Sequence, residues 1–590
     1  MTLLKDVSPA RLEPTSGSAV APRSVDMSGT RLAERGGWTL VWFGVLTGGL
    51  SLWHLWWYGP FAATGAPLLI VAALVGTAAC WLVASPRSRA FQYVTLATAL
   101  MATAVPAAIS VATRQFYVTD AAALDQVAAR ALLRGSDPYT SPLTGVQRLL
   151  SVPNRYWTYT IDGGHVTHVS YPAGSFLFEV PAMALGLTHN VVDWVDLAAW
   201  LITGVLIFAL LPASLRWLGA LLLLIPTFVT MGTDAAFLPF LVLAVWRWDR
   251  YGVPDAGIAG WVGPLALGVA CATKQTPWFC LPFLALGVAL EARRAGRPAA
   301  RVLVRYLATV AAVFLVVNLP FVVWNPAAWA RGTLTPLVDP LVADGQGLVT
   351  LATHGITSGV NLTLLGLAGA LALVTTVVAF ATWYPTLKRV WPLLLPVAFF
   401  FAPRSLSTYL TDLVPVALVA ATSVAAAPSL GPTTAPVLRA RRAHARRSPA
   451  LRTRVPKMVV TAVPALAVIA VSAVAFSNAP LALSVRSVST SDAGRTIDTV
   501  TTWVRNDTGS VVVPHFMVNA GNNPNGFLRP VGGRPLILGP HASATVTLVA
   551  PESTVAPQPG ARWLVEAYTV RPKALSTSTL VVWRQPSPAP

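Results

Sequence analysis

Long apolar runs separated by short polar loops dominate the first 480 residues, and the longest break in that rhythm lies between residues 113 and 173. Runs at 38–58, 66–84 and 91–112 approach the ~20 residues that a helix needs to cross hydrocarbon. Others follow at 191–212, 217–231, 235–248, 257–273, 277–291, 303–324, 360–382, 390–402, 408–427 and 458–477. Segment 174–188 is short and carries Glu179 and Pro181, so it reads as a re-entrant or partial helix, leaving about 13 spans. Within the break, residues 117–139 (YVTDAAALDQVAARALLRGSDPY) place Leu124, Val127, Ala128, Ala131 and Leu132 on one helical face. Asp125, Gln126, Arg130 and Arg134 lie off it, the pattern of an amphipathic helix resting on a membrane surface. Thr119 is placed to cap its start, and Gly135 with Pro138 to end it. Residues 155–172 (RYWTYTIDGGHVTHVSYP) alternate aromatic and β-branched positions around Asp-Gly-Gly, which predicts a hairpin.

From about 480 onward the period changes to two. TVTTWVRN, SVVVPHFMV, ATVTLV, RWLVEAYTV and STLVVW are separated by the turn clusters NDTG, NNPNG, GGRP and PQPG. Short strands at this spacing predict an all-β antiparallel sandwich. It contains no catalytic constellation, so a binding or spacer role is its default reading.

Composition turns the pattern into a class. Of 590 residues, 54% are hydrophobic and 11% charged, and the mean hydropathy is +0.61. A soluble chain of this size has no way to hide so much apolar surface, so the fold class is a polytopic α-helical membrane protein. The net charge of +19 raises nucleic acid as a partner. Its placement argues against that: basic residues gather in inter-span loops such as WRWDR (246–250), EARRAGR (291–297) and TLKR (386–389), and in the tract 439–457. This is the positive-inside bias, and it orients the chain with those loops in the cytoplasm. The division that follows is a disordered cytoplasmic tail (1–37), a helical membrane domain (38–430) with an outer loop (113–173), a basic cytoplasmic linker (431–457), a last span (458–477) and an extracytoplasmic β-domain (478–590). The polar start and the further spans argue against a cleavable signal peptide. Cys80, Cys271 and Cys280 lie in apolar runs and suggest neither a disulfide framework nor a metal site.

Asp120 falls in the first turn of the loop helix, where the helix dipole favours its ionised form. A fixed, ionised carboxylate at the water–lipid boundary is what a general base requires, although the same placement also suits a helix start with no chemistry. Asp125 is its competitor for that role. His165, His168 and Tyr171 come to the outer surface with the hairpin. On a strand, His at i and i+3 point to opposite faces, so hydrogen bonding to a sugar or phosphate is the better reading than metal. Lys274 and Arg404 sit at predicted outer span ends against the charge bias, which suggests a bound anion or simple snorkelling. Asp234, also at an outer span end, suits a sugar hydroxyl or a helix cap. His354, Tyr409 and Asp412 are weaker candidates of the same kind. The loop 325–347 is placed to cover a site from outside, and Trp157, Trp324 and Trp329 offer faces to a sugar or anchors at an interface.

Together these segments resemble the GT-C glycosyltransferases, most of all glycosyltransferase family 87, the polyprenyl-phosphate-mannose-dependent mannosyltransferases of actinobacteria. The resemblance rests on Asp120, on Ala131 with Leu132–Leu133, Gly135 and Asp137–Tyr139, and on Tyr171–Gly174. It continues in GTDAAFLPFLVLAVWRWDR (232–250), ATKQTPWFCLPFLAL (272–286), VVWNPAAW (322–329) and RSLSTYLTDLVP (404–415), covering roughly 38–427. It implies inverting transfer of mannose or a pentose from a polyprenyl-phosphate-sugar donor to a glycan or glycolipid acceptor, at the outer face of a bacterial, actinobacterial plasma membrane. It makes Asp120 the base. The substrate-binding set is Asp125, Asp137, Tyr139, His165, His168, Tyr171, Asp234, Lys274, Gln275, Arg404 and Tyr409, with Asp137 in its Asp-Pro-Tyr turn the most structural of them. No cofactor is demanded beyond the lipid-linked donor, and the family leaves a divalent cation open. Ala121 follows Asp120 where the family tends to place a second carboxylate, and the β-domain lies outside the resemblance. Two other classes compete. A transporter of lipid-linked sugar predicts mid-span charges and internal repeats, and a wall-binding scaffold leaves the acidic loop helix without a task.

Overall fold

The computed structural model describes residues 27–54, 60–82, 87–225, 235–424 and 457–582, apart from short gaps at 142, 253–256, 258, 339, 478, 492–495, 520–523, 552–561 and 579–580. The N-terminal tail, most of the basic tract 431–457 and Asp234 lie outside the described residues.

The chain is mostly helical up to residue 477. Helices α1 (Met27–His54), α2 (Pro60–Leu82) and α3 (Arg89–Thr113) open it, and α4 (Asp120–Leu133) follows. Segment 174–188, expected as a partial helix, contains two short helices, α5 (Gly174–Leu177) and α6 (Val180–Ala184). Then come α7 (Val191–Leu210), α8 (Arg216–Leu223), α9 (Leu238–Val245), α10 (Ala259–Thr273), α11 (Leu281–Arg294) and α12 (Ala299–Trp324). The set closes with α13 (Pro326–Val338), α14 (Leu362–Thr382), α15 (Leu395–Phe400), α16 (Ser407–Thr411), α17 (Leu413–Ser423) and α18 (Lys457–Ser477).

Among the described residues, six helices are long and apolar enough to cross a membrane: Thr64–Leu82, Arg89–Thr113, Val191–Leu210, Ala299–Trp324, Leu362–Thr382 and Met458–Ser477. Several of the expected spans are shorter than their apolar runs. The run 408–427 breaks at Asp412 between α16 and α17, and 390–402 begins as a 3-10 turn before α15, with Pro392 and Pro396 near its start. Apolar length counts residues suited to hydrocarbon, whereas helix length also needs an unbroken set of backbone donors, which proline interrupts. Apolar surface faces outward on the long helices, as at Val316 and Val323 of α12 and Leu466 and Ile469 of α18. Surface of this kind is compatible with a surrounding bilayer.

Local signals fix the helix that matters most. Thr119 Oγ1 accepts from Ala121 N at 3.3 Å and starts α4. At the far end Gly135 adopts φ +76°, with Gly135 N donating to Leu132 O and Ser136 N to Ala131 O, each at 2.9 Å, a left-handed C-terminal cap. The loop 325–347 carries a helix. Asn325 Oδ1 accepts from Ala328 N at 3.0 Å and Pro326 occupies the first turn, so WNPAAW is a helix start. One expectation for α4 fails. Asp125 and Gln126 are buried rather than solvent-facing, because α5, α6 and α7 pack around the helix. Gln126 Oε1 accepts from Val191 N (3.0 Å) and from the Tyr117 hydroxyl, while Gln126 Nε2 donates to Thr188 O (3.3 Å), tying α4 to the start of α7.

The β region is a curled antiparallel sheet rather than two separate sheets. Its strands are β4 (Leu481–Ser491), β5 (Thr496–Asn506), β6 (His515–Asn519), β7 (Pro524–Pro530), β8 (Ser543–Val549), β9 (Arg562–Val570), β10 (Lys573–Thr577) and β11 (Val581–Val582). Strand β7 pairs with β6 through Phe527 and Leu528 and with β8 through Arg529 and Pro530, so it carries the sheet around a corner. The two halves then face each other across Val500, Phe516, Leu548 and Val565. Residues Pro524–Gly526 of the expected turn NNPNG belong to this strand. The sheet also recruits a strand from the helical part. β2 (Gly359–Asn361), just before α14, pairs with β10 through Val360 and Leu575. A two-stranded parallel pair, β1 (Asp344–Gly345) with β3 (Arg404–Ser405), completes the frame. Tyr159, Val342, Val360, Met517 and Tyr568 share one core, so the β-domain is packed onto the helical part.

Candidate active site

Asp120 is 1% exposed, and Thr158 from the hairpin segment holds both of its carboxylate oxygens. Thr158 N donates to Oδ2 at 2.6 Å and Thr158 Oγ1 donates to Oδ1 at 2.9 Å. Burial pushes the Asp120 carboxyl above the usual range, opposed by the Thr158 donors and by the nearby Arg404 guanidinium. The expectation of a dipole-ionised surface carboxylate is thereby corrected: desolvation outweighs the helix terminus, and the carboxylate depends on Thr158 and Arg404 for its charge. The hairpin itself is minimal, with Thr160 N donating to Gly164 O, Val166 N to Thr158 O, and Tyr159 bridging His165.

Arg404 lies in β3 opposite Asp344 of β1. Its Nη2 is 3.9 Å from Asp344 Oδ2, and its Nη1 donates to Val342 O at 3.3 Å. Lys274 follows the end of α10 and is 2% exposed. Its ammonium sits over the rings of Tyr171 (5.5 Å), Phe237 (5.8 Å) and Tyr409 (5.9 Å), a partly caged cation. The charges of Asp412, Asp196 and Asp125 act on it. Burial pushes the Asp125 carboxyl well up, with Ser175 and Lys274 acting in the other direction. Asp196 Oδ1 accepts from Ala235 N (3.3 Å) and Ala236 N (3.1 Å), which anchors the chain entering α9.

Lys274 and Arg404 line the same cavity, of about 340 Å³. Its polar end is formed by Tyr171, Lys274, Gln275, Arg404 and Tyr409, and its walls by Gly366, Gly369, Ala370 and Leu373 of α14 with Ala398 and Phe399 of α15. The glycines keep the α14 wall low. A Cβ on Gly366 would meet nothing closer than Pro403 Cγ at 4.0 Å. An apolar groove ending in two cations suits an amphiphile with an anionic head.

The remaining expected residues separate from this cluster. Asp137 Oδ1 accepts from Tyr139 N at 3.0 Å and shapes the turn. Tyr139 donates its hydroxyl to Tyr171 O at 2.8 Å and packs on Phe176 and Phe321, so it supports Tyr171 from behind. His168 Nε2 pairs with Thr335 Oγ1 of α13 at 2.7 Å, while His165 lies tilted at 41° against Trp157, 4.7 Å between ring centres, and lines a second cavity. Gln275 lines the groove but commits its amide nitrogen to Ser170 O (3.0 Å) and Thr333 O (2.6 Å). Trp329 donates to Asn318 Oδ1 at 3.1 Å, Trp324 is an exposed apolar side chain, and His354 is exposed. Thr158, Asp344 and Asp196 were not anticipated. Tertiary pairing gives them their roles; no local pattern marks Thr158 or Asp344, whereas Asp196 is a carboxylate inside the apolar run 191–212. Among the described residues no group of three His, Cys, Asp or Glu is arranged to hold a metal ion.

No family model, curated protein or solved structure gives a significant match to this chain.

Proposed function

We propose that this protein transfers a sugar, mannose or a pentose, from a polyprenyl-phosphate donor to a hydroxyl of a glycan or glycolipid, with inversion, at the outer face of a bacterial plasma membrane. The observation that carries the reading is the apolar groove between α14 and α15, whose polar end presents Lys274 and Arg404, with Asp120 close to that same arginine. The polyprenyl chain lies along Gly366, Gly369 and Leu373, and its phosphate meets the two cations. The acceptor oxygen bonds to the anomeric carbon as the bond from that carbon to the phosphate oxygen breaks. The acceptor proton passes to Asp120, and the bonding electron pair leaves with the polyprenyl phosphate, where Lys274 and Arg404 offset its growing charge. Burial raises the Asp120 carboxyl and so strengthens it as a base, while the Thr158 donors and the Arg404 charge favour its ionised form.

The test is Asp120→Asn in membranes supplied with labelled polyprenyl-phosphate sugar. Transfer falls by at least ~100-fold, the range of general-base contributions, while expression and donor retention persist. Transfer at the wild-type rate removes Asp120 from the mechanism.

A further inference from the structure

A second cleft belongs to neither the helical part nor the β-domain alone. It encloses about 840 Å³, and its two walls come from the 148–165 segment and from strands β7 and β8. Trp157, Tyr159 and His165 form one wall, with Trp157 tilted 30° against Tyr159 at 6.3 Å. Phe527 stands edge-on to Tyr159 at 5.7 Å and begins the other wall, which Arg529 continues. Arg148 and Arg529 are both exposed, one on each side. No carboxylate lines the cleft among the described residues.

Two glycines hold the walls together. Gly163 has φ +88°, and a Cβ there would fall 2.7 Å from His515 Nδ1. Gly526 has φ +91°, and its Cβ would sit 3.2 Å from both Tyr159 Oη and Pro551 Cγ. The backbones of the turn and of β7 therefore approach the opposite wall where side chains have no room. Trp157 is extended, and successive side chains on an extended chain point to opposite sides. Trp157 and Tyr159 face the cleft, while Thr158 between them holds Asp120.

We propose that this cleft is a binding groove for a glycan chain. The part-exposed rings of Trp157 and Phe527 offer apolar surface to sugar rings, and Arg148, Arg529 and Asn154 offer donors to hydroxyls. The volume falls in the ~300–1,000 Å³ range of built ligand sites. The proposal rests on the transferase reading and adds the substrate class and the place of the acceptor. The strand of Thr158 stands between the groove and Asp120, so the groove holds the chain behind the reacting sugar rather than the reacting hydroxyl. The β-domain, outside the transferase resemblance, thereby becomes half of the acceptor site.

The experiment uses the full-length protein in detergent, without donor, and hexasaccharides of mannan, arabinan, galactan and glucan type, with binding read by saturation-transfer NMR. At least one class binds, and Arg529→Ala and Phe527→Ala each weaken it about tenfold, the loss expected from one charge-assisted or stacking contact. Arg529 is exposed, so Arg529→Ala keeps the wild-type melting temperature and its loss of binding is not a loss of fold. Binding by none of the four classes, or equal binding by wild type and both variants, overturns the groove. Because no donor is present, this result is independent of the Asp120→Asn outcome: loss of the groove leaves transfer standing, and intact transfer in Asp120→Asn leaves the groove standing.

Discussion

Replacing Thr158 by Val leaves the shape of the side chain and the 2.6 Å backbone bond to Asp120 in place and removes the 2.9 Å hydroxyl bond. A hydrogen bond to a charged group contributes ~1.5–3 kcal/mol, and 1.36 kcal/mol corresponds to one pH unit. The remaining backbone donor and the Arg404 charge keep part of the stabilisation, so the expected shift of Asp120 is about one unit. The sign follows from which form loses its partner. The hydroxyl stabilises the carboxylate, so its loss favours the acid form and moves an already raised group further up. A base acts only when ionised, so the acid limb of kcat/KM moves to higher pH by about one unit while the alkaline limb stays. The assay is the initial rate of transfer from labelled polyprenyl-phosphate sugar across pH in wild type and variant. An unmoved acid limb, or one displaced to lower pH, refutes the argument that Thr158 sets the charge of Asp120.

Other perturbations probe other parts. Gly366→Phe places a ring at the groove wall, where a Cβ meets nothing closer than Pro403 Cγ at 4.0 Å, and is expected to raise KM for the long-chain donor about tenfold or more with little loss for a short-chain analogue. Equal effects on both donors would show that the prenyl chain lies elsewhere. Arg404→Lys keeps the charge but not the fork that reaches both Val342 O and Asp344, and is expected to lower kcat more than it raises KM. Glu566 is fully buried, accepts from Asn519 Nδ2 (2.8 Å) and Tyr568 Oη (2.9 Å), and is pushed by burial up to about 7. The folded state therefore keeps a proton that the unfolded state, near 4.3, releases, so stability is fully present below about pH 4.3 and falls by roughly 3 kcal/mol as pH rises to about 7. Thermal unfolding of Glu566→Gln in detergent should lose that part of the pH dependence, and an unchanged pH profile contradicts the assignment.

The features that were legible in the sequence are those that local chemistry sets. Thr119 and Gly135 bound α4 where a capping residue and a left-handed glycine belong, and Asp137 shapes its turn as an Asx residue should. Lys274 and Arg404 stood out as cations set against the charge bias, and both line the groove. Helical periodicity located the apolar face of α4 but not how many of its sides are covered, so Asp125 and Gln126 were misplaced. Strand β7 was hidden because Pro524, Gly526 and Pro530 are turn residues by composition, and only its corner position tolerates them. The β1–β3 and β2–β10 pairings join segments distant in sequence, and they set Asp344 beside Arg404 and bring the β-domain against the helical part. Pairings of this kind leave no periodic trace in either segment.

The central claim is tested most directly with the purified full-length protein in liposomes carrying labelled polyprenyl-phosphate sugar and an extractable glycan acceptor. The account predicts that label moves to the acceptor with inverted anomeric configuration, that free polyprenyl phosphate appears in equal amount, and that Asp120→Asn abolishes both. Intact donor crossing between leaflets, with no label reaching the acceptor, would contradict it and identify a transporter.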